Sequence, residues 1–139
     1  IEPFLIASTV NVIIAQRLIR RICLKCIISY TLTDKEIDNL KKMVAIEKFL
    51  DLDKLKDIRL YKGKGCDKCN NTGYTGRMGI FEVLEVDDNI RDLITAHADA
   101  DKIKEQAQAN GMITMLEDGF NKAVSGQTTL EEILRVTRQ

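Results

Sequence analysis

The chain has 139 residues, which suits one ordinary domain or two or three small pieces that share a core. Its 21 basic and 21 acidic residues cancel, so net charge gives no reason to expect general affinity for nucleic acid or for acidic membranes. Apolar residues make up 45% of the chain, which argues against disorder, and no stretch reaches the roughly 18 apolar residues of a membrane span.

The opening segment predicts a short helix followed by a strand. Pro3 favours a first helical turn, so we expect a helix from Pro3 to Ala7. From Val10 onward β-branched residues dominate and predict a strand, although the run VIIAQRLIRRI would also serve as a helix. Because the chain starts with Ile1 rather than Met, and with residues typical of a core, we expect a fragment cut from a longer protein.

Three arginines, Arg17, Arg20 and Arg21, form a small basic cluster in this predicted strand. A solvated strand edge explains such a cluster, and so does a contact with a phosphate or a protein partner. Residue chemistry favours the solvated edge, because single basic clusters are common on protein surfaces.

The four cysteines form two C-x-x-C pairs, Cys23 with Cys26 and Cys66 with Cys69. Two knuckles that each supply two thiolates suit a tetrahedral zinc ion, and four protein ligands make such a site structural. Iron also binds four thiolates, and sequence does not separate it cleanly from zinc. Disulfides, a redox motif and free core thiols are less favoured, since nothing marks the chain as secreted and the two pairs match each other.

The insert between the cysteine pairs is too long for a bare loop. Thr33 and Glu36 form a capping box that predicts a helix, with apolar residues following at helical spacing. A second apolar run, over residues 46–52, is expected to pack on this helix. The segment IRLYKG then predicts a strand that returns the chain to the metal site.

Glycines recur after Cys69 at Gly73, Gly76 and Gly79, a spacing that suits tight turns or close approach of the backbone. The strand IFEVLEV follows, and we expect it to pair with the strand before Cys66 as a hairpin that hangs from the metal. A phosphate-binding role for these glycines is weak, because no G-x-x-x-x-G-K-[ST] run exists in the chain.

After the second cysteine pair the pattern becomes helical. Asp87 or Asp88 is expected to cap a first helix, and a second helix should end at Gly111. His97 is the only histidine. We expect it to lie at a helix end, where the dipole favours it, rather than to bind a metal whose ligands the thiols already supply.

Two further capping boxes, Thr114 with Glu117 and Thr128 with Glu131, predict a third and a fourth helix. We expect the four helices to form one compact bundle. No arrangement of Ser, His and Asp with catalytic spacing stands out. The residues alone therefore predict a zinc-stapled module that carries a helical bundle.

Three stretches of the chain resemble the C-terminal part of bacterial secretion ATPases, the hexameric motors of type II secretion and type IV pilus assembly. These stretches are EPFLIASTVNVIIAQRLIRRIC, GCDKCNNTGYTGRMGIFEVLEV and GMITMLEDGFNKAVSGQTTLEEILRVT, and they follow the order of that family. The tetracysteine hairpin with T-G-Y-x-G-R resembles the assembly and secretion branch, since retraction motors generally lack it.

The resemblance implies an α+β fold in three parts. Residues 1–21 would be the last elements of a RecA-like α/β domain, residues 22–86 a tetracysteine metal-binding subdomain with a helical insert, and residues 87–139 a C-terminal helical subdomain. Zinc would be held by Cys23, Cys26, Cys66 and Cys69. Arg17 belongs to the QRL segment, which the resemblance places close to the nucleotide.

The parent protein implied by the resemblance binds ATP and Mg²⁺ and hydrolyses ATP. It would be a homo-hexamer in the cytoplasm, peripheral at the inner membrane, with a membrane platform protein as its partner and no nucleic acid. Its P-loop lysine and catalytic acids would lie upstream of Ile1, so the fragment alone should be inactive.

The alternative function is a stand-alone zinc-ribbon module that binds nucleic acid or protein. The basic residues around the cysteines favour this alternative, whereas the aromatic content of 5% argues against base stacking.

Overall fold

The computed structural model describes residues 1–42 and 52–137. Within these ranges the chain is α+β, as predicted, and its elements are α1 (Pro3–Thr9), β1 (Val12–Ile22), β2 (Ile27–Thr31), α2 (Asp34–Lys41), a 3-10 helix (Leu52–Asp57), β3 (Arg59–Gly63), β4 (Tyr74–Glu85), α3 (Asp88–Thr95), α4 (Ala100–Ala109), α5 (Met115–Val124) and α6 (Leu130–Thr137). The apolar run predicted over residues 46–52 lies almost entirely outside the described residues. Among the described helices, none has the length and apolar character needed to cross a membrane.

The described strands form two sheets of two strands each, β1 with β4 and β2 with β3. β2 and β3 run antiparallel, with Ile28 opposite Lys62. β1 and β4 are antiparallel as well. The start of β1 meets the end of β4, where the carbonyl of Asn11 accepts a hydrogen bond from the N–H of Val86.

The predicted hairpin between the strands that flank the second cysteine pair was wrong. The strand before Cys66, β3, pairs with β2, and the strand after Cys69, β4, pairs with β1. Alternating apolar residues predict that a strand forms and which face it buries, but they do not specify its neighbour. The four cysteines therefore lie at the ends of two sheets and not at the root of one hairpin.

The chain divides into two compact units. The first unit comprises residues 1–16 and 81–115. Its core is built around Val86, Ile90 and Ala107, and α1 packs against α3. The side chain of Arg91 in α3 donates a hydrogen bond to the carbonyl of Ala7 at 3.0 Å, so a polar contact supports the apolar one.

The second unit comprises residues 17–80 and 116–139. Its core combines residues from α2, the 3-10 helix and β3 with residues from α5 and α6, namely Leu32, Ile37, Leu40, Leu55, Leu60, Phe120, Ala123, Leu130 and Ile133. The predicted single bundle of four helices was therefore wrong, because α3 and α4 contribute to the first core and α5 and α6 to the second. An amphipathic pattern shows that a helix buries one face, but not what it packs against.

The last helix begins differently from the prediction, because its N-cap is Thr129 rather than Thr128. The hydroxyl of Thr129 accepts a hydrogen bond from the N–H of Glu132 at 3.0 Å. The hydroxyl of Thr128 instead donates to the carbonyl of Arg20 at 2.8 Å. Both threonines are thus used, one to start α6 and one to hold that start against β1.

Glu132 is fully buried, and its carboxylate joins α6 to β1. It accepts hydrogen bonds from the backbone N–H of Arg20 at 2.7 Å and from the Arg20 guanidinium at 3.0 and 3.1 Å. Arg135 donates two more, at 2.8 and 3.0 Å. Burial raises the pKa of Glu132, but the bonds from Arg135 and Arg20 outweigh burial and lower its pKa to about 2. A buried carboxylate is acceptable here because both of its oxygens accept hydrogen bonds from charged or backbone donors.

Replacing Glu132 by Gln should lower the free energy of unfolding by about 1–3 kcal/mol at neutral pH, since the charge-assisted bonds are lost while both arginines stay half-exposed. Because the folded pKa is depressed, the carboxylate stabilises the fold above its unfolded pKa of about 4.3 and loses that effect as the pH falls toward 2. Urea unfolding of wild type and Glu132→Gln at pH 7 and at low pH measures the difference in unfolding free energy and its dependence on pH.

The matched control for this measurement is Glu131→Gln, which changes the neighbouring exposed glutamate. We expect it to leave the unfolding free energy within about 0.5 kcal/mol of wild type. A stability gap between wild type and Glu132→Gln that stays constant down to low pH would contradict the assignment of a depressed pKa.

Candidate metal centre

Two turns present the four cysteines. Cys23 and Cys26 lie between β1 and β2, and Cys66 and Cys69 lie between β3 and β4. All four Sγ atoms lie within 4.8 Å of one another. The Sγ atoms of Cys23 and Cys66 are 3.7 Å apart, those of Cys26 and Cys69 are 3.8 Å apart, and those of Cys66 and Cys69 are 3.6 Å apart. The two knuckles thus converge, as the sequence predicted.

These sulfur separations fit a tetrahedral metal. Sulfurs placed about 2.3 Å from a zinc ion at the corners of a tetrahedron are about 3.8 Å apart. The same separations are far too long for disulfide bonds, whose sulfurs lie about 2.05 Å apart, and the four cysteines are free thiols. Zinc and iron share this geometry, so the residues fit either metal.

The backbone holds the two knuckles in place from both sheets. The N–H of Cys23 donates to the carbonyl of Gly73 at 2.9 Å, and the N–H of Lys64 donates to the carbonyl of Cys26 at 3.0 Å. One bond extends the ladder of β1 and β4, and the other extends the ladder of β2 and β3. Each knuckle is therefore fixed by the end of a sheet as well as by any metal.

Backbone N–H groups point at the sulfurs. Gly65 donates to the Sγ of Cys26 at 3.3 Å, while Cys66 and Gly73 donate to the Sγ of Cys69 at 3.3 and 3.2 Å. Such bonds favour a thiolate over a thiol. They also orient the sulfurs, so the ligand positions are set by the fold.

The thiols do not titrate alike. Burial raises the pKa of Cys69, but the N–H groups of Gly73 and Cys66 outweigh burial and lower it to about 6. For Cys26 burial dominates, and its pKa rises to about 11. Burial therefore favours the neutral thiol at Cys26, whereas a divalent metal supplies the positive charge that four thiolates require. The donor set therefore fits zinc, which would supply a structural cross-link between the knuckles.

Close approach of the backbone explains why two of the positions are glycine. A Cβ atom built on Gly63 would lie 2.1 Å from the carbonyl oxygen of Gly73, which no side chain tolerates. Gly73 itself has a φ of +82°, and a Cβ there would lie 2.7 Å from the Gly63 oxygen. The predicted role of Gly73 in close approach is thus confirmed, and its partner Gly63 was not predicted.

The other candidate residues lie outside the sulfur cluster. Arg17 is exposed on β1, and its expected role near a nucleotide stays a prediction. Arg20 is bound to Glu132 and lies over the ring of Tyr74, 4.1 Å from its centroid. His97 follows α3 with a φ of +57°, which places it at a helix end, as expected.

Sequence reasoning missed Glu132 and Tyr74. The Tyr74 hydroxyl is 2.8 Å from the hydroxyl of Thr129, so the start of β4 is tied to the start of α6. One signal was available, because the run TTLEE contains two overlapping capping boxes and so two possible registers. The sequence does not show which box forms, because the choice depends on the bonds between Glu132 and Arg20 on β1.

Comparison with known proteins gives consistent matches over the whole chain. A family model described as type II/IV secretion system protein matches residues 1–135. The type IV pilus assembly ATPase PilB of Thermus thermophilus is 42% identical over 137 residues, which are 99% of this chain and 14% of that protein. The type II secretion system ATPase E of Vibrio cholerae is 39% identical over 139 residues, or 100% of this chain and 25% of that protein.

A third relative, the type II secretion system protein HxcR of Pseudomonas aeruginosa, is 38% identical over 99% of this chain and 24% of its own length. The chain thus spans between 14% and 25% of the length of these three relatives.

We expect the purified chain to bind one zinc ion, measurable by elemental analysis. Removing the metal with a chelator should lower the unfolding temperature, because binding free energy of a structural site is folding free energy. Cys66→Ser should lose most of the zinc, and chelator should then have little further effect. Asp67→Asn changes an exposed neighbour within the same knuckle and should keep the metal. A chelator that leaves both the metal content and the unfolding transition unchanged would contradict the assignment.

Gly73→Ala should weaken metal binding and lower stability by about 2 kcal/mol or more, because the new methyl group meets the Gly63 backbone and φ is positive. Gly111→Ala is the matched control. Gly111 has a φ of +101° but nothing within 4 Å of an added Cβ, so its replacement tests strain without a clash. Thermal unfolding and zinc titration of both variants measure the difference. Equal effects of the two substitutions would show that close approach is unimportant.

Proposed function

Because the chain belongs to the type II/IV secretion system protein family, we propose that it is the C-terminal part of a hexameric motor ATPase that powers type IV pilus assembly or type II protein secretion. The observation that carries this proposal is the match to the family model over residues 1–135. Since the chain spans no more than 25% of the three relatives, the ATP site would lie in a preceding part of a longer protein. The chain itself contains no P-loop motif.

Residues 1–21 would be the last elements of a RecA-like domain. The side chains of Val12, Ile13 and Ile14 are 46–63% exposed, although they are consecutive and so lie on both faces of β1. Continuous apolar runs are typical of strands that are covered on both faces in a larger sheet. This exposure supports a further layer of protein over β1 in the parent molecule.

Residues 22–86 would be the metal-binding subdomain, and residues 87–139 would be the helical subdomain. The two are mechanically connected, because α5 and α6 share a core with α2 and β3. A metal cross-link makes the knuckles stiff, since it removes the conformational freedom of two turns. We assign this module the role of a rigid lever that carries domain motion to a partner, which a flexible arm would dissipate.

The cofactors of the parent would be ATP and Mg²⁺, with zinc as the structural metal of this part. Arg17 would lie near the nucleotide. The working assembly would be a homo-hexamer at the cytoplasmic face of the inner membrane, and its partner would be the membrane platform protein of the machine. Catalysis would belong to residues upstream of Ile1, so the 139-residue chain alone should not hydrolyse ATP.

In the full-length protein we expect a G-x-x-x-x-G-K-[ST] segment upstream of Ile1 and ATP hydrolysis that the 139-residue chain lacks. Cys66→Ser in the full-length protein should leave ATP binding within about twofold of wild type, while pilus or secretion output falls by about tenfold or more. Asp67→Asn serves as the matched control and should support normal output. Full output from Cys66→Ser would refute the lever role, and an upstream sequence without a P-loop would refute the motor.

A further inference from the structure

The neutral net charge of the chain hides a strong local excess of basic residues. The segments around the metal site, residues 17–31 and 59–77, contain nine basic residues and one acidic residue, all of them exposed. The basic residues are Arg17, Arg20, Arg21, Lys25, Arg59, Lys62, Lys64, Lys68 and Arg77, and the acidic one is Asp67. Four thiolates around a divalent metal subtract about two charges, which leaves these two segments with a net charge of about +6.

An exposed apolar side chain lies within one of these basic segments. Leu24, inside the first knuckle, is 78% exposed and is followed directly by Lys25. Ile28 at the start of β2 is 40% exposed and faces Lys62 across the sheet. Lys64 lies beside the same knuckle, because its N–H bonds to the carbonyl of Cys26. We call this group, formed by Leu24, Lys25, Ile28, Lys62 and Lys64, the knuckle patch.

We propose that the knuckle patch docks onto an anionic lipid bilayer, with Leu24 buried at the boundary between headgroups and acyl chains and the lysines over lipid phosphates. Leu24 is followed directly by Lys25, and Lys64 is bonded to the same knuckle. This arrangement fits the interface, since lysine stems cover apolar surface while their ammonium groups reach the phosphates. This inference rests on the proposed function, because that function puts the parent protein next to the inner membrane.

The metal site prepares Leu24 for such a contact. The turn that carries Leu24 is closed by the bond from the Cys26 N–H to the Cys23 carbonyl at 3.3 Å, and both thiols are metal ligands in the proposed site. Its backbone is thus already ordered and bonded, so docking costs little conformational entropy. One leucine and a few lysines bind a bilayer weakly. In a hexamer the same patch would be present on every subunit, so the overall affinity for the bilayer would be higher.

Nucleic acid is a poorer fit to the same surface. Three tyrosines lie in these segments. Tyr30 and Tyr74 already lie against Lys62 and Arg20, and the ring of Tyr61 packs beside Gly126. Phosphate contacts alone would use the lysines but would gain nothing from Leu24. The exposure of a leucine therefore favours a surface with an apolar interior.

The test uses the full, zinc-loaded chain and vesicles of phosphatidylglycerol and phosphatidylcholine mixed about 3:7, compared with pure phosphatidylcholine. We expect binding to the anionic vesicles only, weakening with salt. Leu24→Ser should weaken it about tenfold, and the double variant Lys25→Gln with Lys64→Gln about 25-fold. The matched controls, Ile113→Ser and the pair Lys102→Gln with Lys104→Gln, should bind within about twofold of wild type.

A direct measure of insertion is available because the chain contains no tryptophan. Emission from Leu24→Trp should shift to shorter wavelength on anionic vesicles, whereas Ile113→Trp, at another exposed apolar position, should not shift. Elemental analysis confirms that each variant keeps its zinc, so a loss of binding cannot come from an unfolded knuckle.

Equal binding to neutral vesicles, an unshifted Leu24→Trp, or controls that lose binding as strongly as the test variants would overturn the inference. So would tighter binding to duplex DNA that depends on the lysines but not on Leu24. Any of these results would leave the motor function standing, because that function is tested by the upstream P-loop and by secretion or pilus output.

Discussion

The close approach of Gly63 to Gly73 is the constraint on which the second unit depends. Two backbones can pass this near only where neither carries a Cβ atom, and the positive φ of Gly73 adds a second reason for glycine. Once these positions are in contact, the ends of both sheets meet, and the two knuckles face each other. The knuckles then bring the sulfurs to separations of 3.6–3.8 Å, so the close approach of the two glycines and the convergence of the cysteines occur together.

A second set of contacts in this unit holds β1 in place. Glu132 bonds to the backbone and side chain of Arg20, which is only three positions before Cys23 in β1. The start of α6 is thereby fixed to the strand that leads into the first knuckle. The hydroxyl pair of Tyr74 and Thr129 makes an equivalent connection to the strand that leaves the second knuckle. Polar contacts that are individually modest thus hold one helix terminus against both strands that reach the metal site.

The sequence predicted local features well, because local features have local causes. The capping box of Thr33 and Glu36, the cap at Asp87 and the helix end before Gly111 all form as expected. The convergence of the four cysteines was also predictable, since matched C-x-x-C pairs are typical of one shared site. Strand pairing, the division of the helices between two cores and the role of Glu132 were not. Each depends on a partner distant in sequence, and Glu132 lies 112 positions from the arginine that makes its burial possible.

The net charge of the chain and the charge around the four cysteines lead to different expectations. A net charge of zero gave no reason to expect an anionic partner, yet the segments around the four cysteines contain nine basic residues and only one acidic residue. Folding brings these segments together where the four sulfurs converge and where Gly63 approaches Gly73, so the basic residues become neighbours through the same contacts.

A stiff module transmits force only if both of its ends are held. In the proposed lever, the core shared with α5 and α6 would hold one end, and the knuckle patch would give the other end a surface to hold.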